Sequence, residues 1–431
     1  MSESIMIQEG IQVLRRLEEA GYEAVFVGGC VRDRLLGRPL KDIDIATSAL
    51  PQDVVRLFPR TAPTGLAHGT VTVIMETHTF EVTTYRKESE YEQFRRPKEV
   101  EFISDLDEDL RRRDFTINAM AQGPDGSCID PFGGRDDLDK GIVRCVGDPM
   151  ERFREDALRM LRGIRFACEY GFELEDGTWR ALVRHAPLLE HVATERVTAE
   201  LDRMIEGRSP DRAVALLVES GLPRHFKEPV EWPLARWERA PEATERSALA
   251  KLDGAALRWA GLFILMECEA EQAREAMKRL KFAGKKSDAV YRLLRADEWM
   301  RSRADGGDSR TGVEAEPSVF ETVALGAVEF GRPVVREWLR LAGWRVEMMG
   351  DDGLRRLAAE GAAELERVPV DRIAELAVNG TDLTGALDKP AGPWLGRLLY
   401  ELLTEAALRR LPNDRDVLLN EAKSRAKRET N

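Results

Sequence analysis

Two aspartates one residue apart, Asp42 and Asp44 in "KDIDIAT", carry the first chemical signal in the chain. In a strand, residues i and i+2 point to the same face, so these carboxylates would project side by side with Ile43 and Ile45 packed behind. Carboxylates so close repel unless a proton or cation intervenes. Hard divalent ions such as Mg²⁺ take such oxygen ligands and share them with substrate phosphates. Two such ions about 3.5–4 Å apart can activate an attacking hydroxyl and stabilise a leaving pyrophosphate. A third carboxylate on a neighbouring strand would complete the set, and Glu81 in "FEVTTY" is the candidate. Taken alone, the doublet is a common pattern and suits a solvated edge strand with two exposed aspartates better than it suits catalysis.

The residues just before the doublet change that balance. Gly28 and Gly29 lie between an apolar strand pattern, "EAVFV", and a short helical one, "VRDRLLG". Glycines there let backbone N–H groups approach a phosphate, and a helix start adds favourable partial charge. Arg32 lies one turn on and can reach a triphosphate. An ordinary tight turn does not explain why glycines, arginine and aspartates occur together. No GxxxxGK[ST] loop exists, since "FAGKKS" lacks its first glycine.

The elements that must position these residues can be read from periodicity. Ile7, Ile11, Leu14 and Leu17 have helical spacing, stopped by Gly21. "DIDIAT" alternates as a strand, "PQDVVRLF" opens with a helix-compatible Pro51, and "TVTVIME" and "TFEVTTYR" form a hairpin pattern around Thr77 and His78. From Pro149 onward the patterns are helical, beginning with one long run, "MERFREDALRMLRGIRFACEYG". Residues 302–317 are polar and rich in Gly and Asp, as a linker would be. The expected fold is α+β: an N-terminal mixed sheet with helices, then an elongated all-α remainder.

The 431 residues are too many for one compact core. No apolar run is long enough to cross a bilayer, and the first residues lack a signal-peptide layout. Five scattered cysteines without a CxxC pair suit reduced thiols, so a cytoplasmic location is expected. The five histidines show no metal-ligand spacing and read as structural or exposed. A net charge of −12 argues against nucleic acid on average, yet a local basic groove can sit on an acidic protein.

The run "GGCVRDRLLGRPLKDIDIATSALP" resembles the signature of the nucleotidyltransferase superfamily, specifically the class II tRNA nucleotidyltransferase and bacterial poly(A) polymerase family. Four further stretches resemble that family's motifs in order: "RRRDFTINAMA", "DPFGGRDDL" as a hinge, "REDALRMLRGIRFA" with an EDxxR core, and "ERVTAEL". The stretch "LAVNGTDLTGALDKPAGPWLGRLL" is similar to the tail of Gram-positive CCA-adding enzymes. The resemblance implies a catalytic head (1–147), a nucleotide-selecting neck (148–210), a helical body (211–330) and a tRNA-binding tail (331–431). It implies Mg²⁺ on Asp42 and Asp44, with Glu81 completing the catalytic set. It also implies a nucleotide site lined by Gly29, Arg32, Arg113, Asp156, Arg159, Arg162 and Arg165.

The EDxxR residues suggest how a base could be read without a template. Cytosine offers an acceptor, N3, beside an amino donor, N4, and adenine offers the same pair at N1 and N6. An arginine and an aspartate can satisfy both, whereas uracil and guanine present the reverse pattern. On a continuous helix Asp156 and Arg159 would be surface neighbours, and a plain salt bridge is the simpler use of that spacing. Steps of three slip by about 60° around a helix, so Arg165 would point nearly opposite to Asp156 and suits a structural ion pair. Arg113 and Asp114 are placed to meet triphosphate and ribose, while Arg111 and Arg112 suit a solvated basic face equally well.

The polar segment 85–100, "YRKESEYEQFRRPKEV", matches a flexible loop that the family needs for adding the terminal A. Its apparent completeness argues against a CC-only enzyme. The expected activity is addition of C, C and A to the 3′ end of tRNA from CTP and ATP. A-only addition and poly(A) synthesis remain open at this point, as does a non-catalytic RNA-binding module, whose mark would be loss of an aspartate of the doublet. No membrane partner is expected, and a homodimer is compatible with the sequence.

Overall fold

The structure is a computed structural model describing residues 2–88, 91–92, 96–97, 100–228, 248–304 and 318–429. It divides into two compact units, Met1–Val230 and Glu231–Asn431.

The first unit is built on a mixed sheet. Helix α1 (Ser2–Glu19) leads into β1 (Ala24–Val27), α2 (Gly29–Leu35), β2 (Asp44–Thr47) and α3 (Pro51–Leu57). Strands β3 (Thr61–Gly65), β4 (Thr70–Ile74) and β5 (Thr79–Thr84) follow. The sheet is completed by two-residue strands at Ala121–Gln122 and Cys128–Ile129. Strand β1 is buried throughout because it is central, antiparallel to β2 on one side and to Ala121–Gln122 on the other. Strands β2 and β5 are parallel, with Asp44 opposite Glu81.

The two sheet faces differ. Phe26, Ile45, Phe80 and Val82 share one face, and α1 lies so close that a Cβ on Gly10 would meet Phe26 and Phe80. Glu9, on the same helix, accepts from the N–H groups of Thr77 and His78 and pairs with the His78 ring at 2.7 Å, tying α1 to the β4–β5 turn. Those bonds outweigh burial and hold the Glu9 carboxyl below its ordinary range. The other face carries Val25, Val27 and Ala46, packed with Tyr85, Leu110 and Ala121, and it is here that Asp44 and Glu81 project.

Two expectations need correction. The strand begins at Asp44, so Asp42 lies in the irregular segment just before it rather than within the ladder. The long helical run from Pro149 is two helices, α6 (Pro149–Glu155) and α7 (Leu158–Tyr170), counting α4 (Leu106–Arg111) and α5 (Gly134–Lys140) before them. Asp156 breaks it, with extended backbone at φ −141 and ψ 102, and its carboxylate accepts from the Leu158 N–H. Of the 85–100 segment, residues 89–90, 93–95 and 98–99 lie outside the described residues, as do residues 305–317 of the expected linker.

The second unit is helical, with no strand among its described residues. Helices Gly284–Ala304 and Arg332–Met349 share a buried ion pair, Asp297–Arg345 at 3.1 Å, with the Trp338 indole N–H also donating to Asp297. A separate apolar cluster of Leu383, Leu402, Leu403, Leu418 and Ala422 joins the helices Gly380–Leu387, Pro393–Ala407 and Arg415–Glu429.

Candidate active site

A cavity of about 450 Å³ opens in the first unit where β1, α2, β2 and α7 converge. It is lined by Gly28 and Gly29, by Arg32, Arg113, Arg159 and Arg162, and by Asp44 and Asp156. Arg112, Asp114, Asn118, Phe166 and Arg196 complete its charged, polar and aromatic wall. Six arginines against three aspartates make this a basic pocket in a chain of net charge −12.

The glycine turn works because its first residue is glycine. Gly28 sits at φ 72 and ψ −129, a conformation open to glycine and strained for other residues. A Cβ there would also lie 2.9 Å from Nη1 of Arg113. Gly28→Ala is expected to raise KM for the nucleotide or lower kcat by about tenfold or more, from backbone strain plus displacement of Arg113. Steady-state kinetics on the folded variant check this.

Arg32 is buried and held from several sides. It pairs with Asp33 at 3.0 Å, donates to the Asn118 side-chain oxygen, and lies over the rings of Tyr170 and Phe166 at 4.5 and 5.4 Å. Asn118 in turn donates to Asp114 at 3.1 Å, and Asp114 accepts from Arg162 at 2.6 Å. A continuous polar chain therefore crosses the pocket from Asp33 to Arg162. Burial opposes ionisation of Asp114, but the facing Arg162 and the Asn118 hydrogen bond win and hold its pKa at about 2. The short helical turn bearing Asn118 is fixed by the hinge stretch: Asp137 accepts from the Thr116 hydroxyl at 2.7 Å and pairs with Arg144. Asp130 accepts from the N–H groups of Gly134 and Arg135 at the start of α5.

Asp44 is exposed at the β2 start and has its pKa pushed up to about 6, first by desolvation and then by the charges of Asp42 and Glu81, with Arg113 opposing. Asp42 and Glu81 are also exposed and flank Asp44 without lining the cavity. Among the described residues, no three His, Cys, Asp or Glu side chains form a ready-made metal cage. The donor set still fits Mg²⁺, which usually takes one or two carboxylates and draws its remaining ligands from water and substrate phosphates. The mutual repulsion on Asp44 is what a cation would relieve.

The structure separates Asp156 from Arg159. Asp156 pairs with Arg196 at 2.8 Å, across 40 positions of sequence. Arg159 pairs with Glu155 at 2.7 Å and donates to the Arg112 carbonyl at 2.8 Å. The chain leaves the helix at Asp156, so the two residues are not successive positions on one helical face. Both side chains nevertheless line the same pocket. Asp156 accepts three hydrogen bonds, two on Oδ1 and one on Oδ2. A carboxylate has about four lone-pair sites, so Oδ2 retains one for a further donor.

Arg165 is not brought to the pocket. It is buried, pairs with Glu200 at 2.6 Å and Glu169 at 3.0 Å, and stacks on Phe166 at 4.0 Å. Arg165→Met should therefore destabilise the first unit by about 2–4 kcal/mol, because buried Glu200 loses its 2.6 Å partner and keeps only the exposed Arg203 at 3.5 Å. Denaturant unfolding checks this, and an unchanged stability with lost nucleotide affinity would overturn it. Arg111 pairs with Glu108 as a surface group, whereas Arg112 lines the pocket. Arg196 and Phe166 were not singled out from the sequence as site residues. Their signal was their position inside two of the motif stretches.

Comparison with known proteins agrees with this architecture. A family model described as the poly A polymerase head domain matches residues 24–144. One described as a probable RNA- and SrmB-binding site of polymerase A matches 171–231, and one for a tRNA nucleotidyltransferase domain matches 352–422. The chain is 37% identical to the CCA-adding enzyme of Anoxybacillus flavithermus, with 98% of each chain covered. It is 39% identical to that of Geobacillus stearothermophilus, over 91% of this chain and 90% of the relative. Among solved structures, the Bacillus stearothermophilus CCA-adding enzyme in complex with CTP superposes with a TM-score of 0.80 at 33% identity, covering 98% of both chains. The Thermotoga maritima CCA-adding enzyme complexed with tRNA shares the fold, with a TM-score of 0.61 at 20% identity.

Proposed function

The chain belongs to the CCA-adding enzyme family, and we propose that it adds C, C and A, without a nucleic-acid template, to the 3′ end of tRNA from CTP and ATP, releasing pyrophosphate. The observation that carries this reading is one pocket in which a glycine turn, an arginine cluster, a strand-end carboxylate and the Asp156–Arg159 pair converge.

The backbone at Gly28 and Gly29, with Arg32 and Arg113, holds the triphosphate. Asp114 and Asn118 fix the arginines and meet the ribose. Asp156 accepts from the exocyclic amino group of C or A on its remaining Oδ2 lone pair, and Arg159 donates to the adjacent ring nitrogen. Uracil or guanine would leave both groups mismatched, at about 1–3 kcal/mol each, or roughly 30- to 10⁴-fold in discrimination.

The family works with a divalent metal ion. In this chain Asp42 and Asp44 would hold Mg²⁺, with Glu81 beside them. Bound there, the ion would supply charge neutralisation at the phosphates and a lower pKa for the attacking hydroxyl. The tRNA 3′-hydroxyl attacks the α-phosphate in line, and the pocket's contribution is positioning and fixed positive charge. The helical remainder holds tRNA by phosphate and shape, so affinity should fall with salt.

The test uses labelled CTP or ATP, Mg²⁺, and tRNA ending before CCA, after C or after CC. Ordered incorporation of both nucleotides is expected. AMP alone on tRNA ending in CC would indicate A-only addition, long A tails would indicate a polymerase, and tRNA binding without incorporation would contradict enzymatic function.

A further inference from the structure

Two arginines of the nucleotide pocket, Arg112 and Arg113, share a carboxylate that is not part of the pocket wall. It belongs to Asp109 on α4, a residue only 1% exposed. Oδ1 of Asp109 accepts from Arg112 Nη2 at 2.8 Å and Nε at 3.0 Å, and from the Arg86 N–H at 3.3 Å. Oδ2 accepts from Arg113 Nη2 at 3.3 Å. Burial opposes ionisation of Asp109, but the charges of Arg112 and Arg113 win and hold its carboxyl below the usual range.

A buried carboxylate between arginines can be a structural ion pair and nothing more. The second observation is the other end of Arg113. Its Nη1 faces the glycine turn, where a Cβ built on Gly28 would lie 2.9 Å away. One guanidinium therefore spans from the buried carboxylate to the turn, with Nη2 held and Nη1 presented. Its Nε makes no hydrogen bond, and among the described residues no second ion pair holds it. The end of α4 has anchors of its own: the carbonyls of Arg111 and Arg112 accept from Arg152 at 3.2 Å and Arg159 at 2.8 Å. What Asp109 adds is the direction of two side chains.

We infer that Asp109 is the positioning residue of the triphosphate site: it holds the Arg113 guanidinium, with Arg112 beside it, in the orientation that donates to phosphate at the Gly28–Gly29 turn. The inference rests on the nucleotide reading above and deepens it, assigning Asp109 to the grip on phosphate and not to base choice. An arginine that must be ordered as the ligand arrives loses rotamer freedom at that moment, and a partner that orders it beforehand adds affinity. Charge alone predicts the opposite. Removing the negative charge of Asp109 makes the pocket more positive and should tighten phosphate binding, so the sign of the effect separates the two accounts.

Titration calorimetry of the full chain with inorganic tripolyphosphate, free of RNA and divalent metal and below each variant's melting transition, tests this. D109N has the same shape as the parent side chain and keeps an acceptor oxygen for the Arg86 N–H. It should bind tripolyphosphate about tenfold or more weakly, from two arginines no longer ordered beforehand. It should bind CTP and UTP more weakly by equal factors, so their ratio stays at the parent value. R113K keeps the charge, but one ammonium cannot serve Asp109 and the turn together as the guanidinium fork does. It should also lose about tenfold in tripolyphosphate affinity, and it carries the test if D109N does not fold. Unchanged or tighter tripolyphosphate binding in D109N, or parent affinity in R113K, would overturn the inference. So would a parent protein that does not bind millimolar tripolyphosphate, or a changed CTP-to-UTP ratio in D109N, which would place Asp109 in base choice. A parent protein without preference for CTP over UTP would contradict the base reading instead, and the tripolyphosphate comparison would still decide the role of Asp109.

Discussion

Replacing Asp42 and Asp44 together by asparagine abolishes nucleotide incorporation, by about 10³-fold or more, and leaves the protein folded. The magnitude follows from the several kcal/mol of charge stabilisation that a metal-holding carboxylate pair supplies at a reacting phosphate. The fold survives because both side chains are exposed and neither makes an ion pair among the described residues. D44N alone should in fact melt higher than the parent at pH 7.5 in the absence of metal. The native pKa of Asp44 is raised from 3.8 to about 6, so its ionised form costs stability above that range. As pH falls through about 6 toward 3.8 the parent takes up a proton and recovers that stability. The gap between D44N and parent should therefore be widest above pH 6 and close near pH 4. Scanning calorimetry across this range measures it, and a D44N variant less stable than the parent at pH 7.5 would contradict the repulsion described at this site.

Asp156→Ala gives the second large effect, on choice rather than on rate alone. The variant loses the acceptor for the C or A amino group, so preference for CTP over UTP should fall by about 10- to 100-fold. Binding of the triphosphate through Gly28, Gly29, Arg32 and Arg113 should persist. Arg196→Ala should produce a milder form of the same defect, because Asp156 then keeps only its Leu158 N–H partner to orient it. Single-turnover incorporation from each nucleotide checks both variants, and unchanged selectivity in D156A would remove Asp156 from base reading.

The parts of this site that could be read in advance are those whose neighbours in sequence are also neighbours in space. The 42–44 doublet, the glycines at 28 and 29 and the central β1 pattern belong to that class. Glu81 was legible because alternation along β5 fixes its face, and the parallel pairing to β2 then brings it beside Asp44. The helix break at Asp156 was not legible. "EDALRMLRG" has good helix formers and no proline before the break, and only the Arg196 pairing 40 residues away and the Leu158 cap reward the extended conformation. The same distance hid Arg196 itself. Arg111 and Arg112 differ only in which way α4 presents them, and that depends on the buried Asp109, which pairs with Arg112 and Arg113. Strand β3, "TAPTG", was missed because an edge strand with proline and glycine has no alternating pattern to announce it.

The central claim is that amino-acid side chains in one pocket select the base. Equilibrium binding of the four nucleoside triphosphates to RNA-free protein with Mg²⁺ tests it most directly. CTP and ATP should bind at least about tenfold more tightly than UTP and GTP, and D156A should remove most of that difference. Equal affinities for all four in the parent protein would contradict the account.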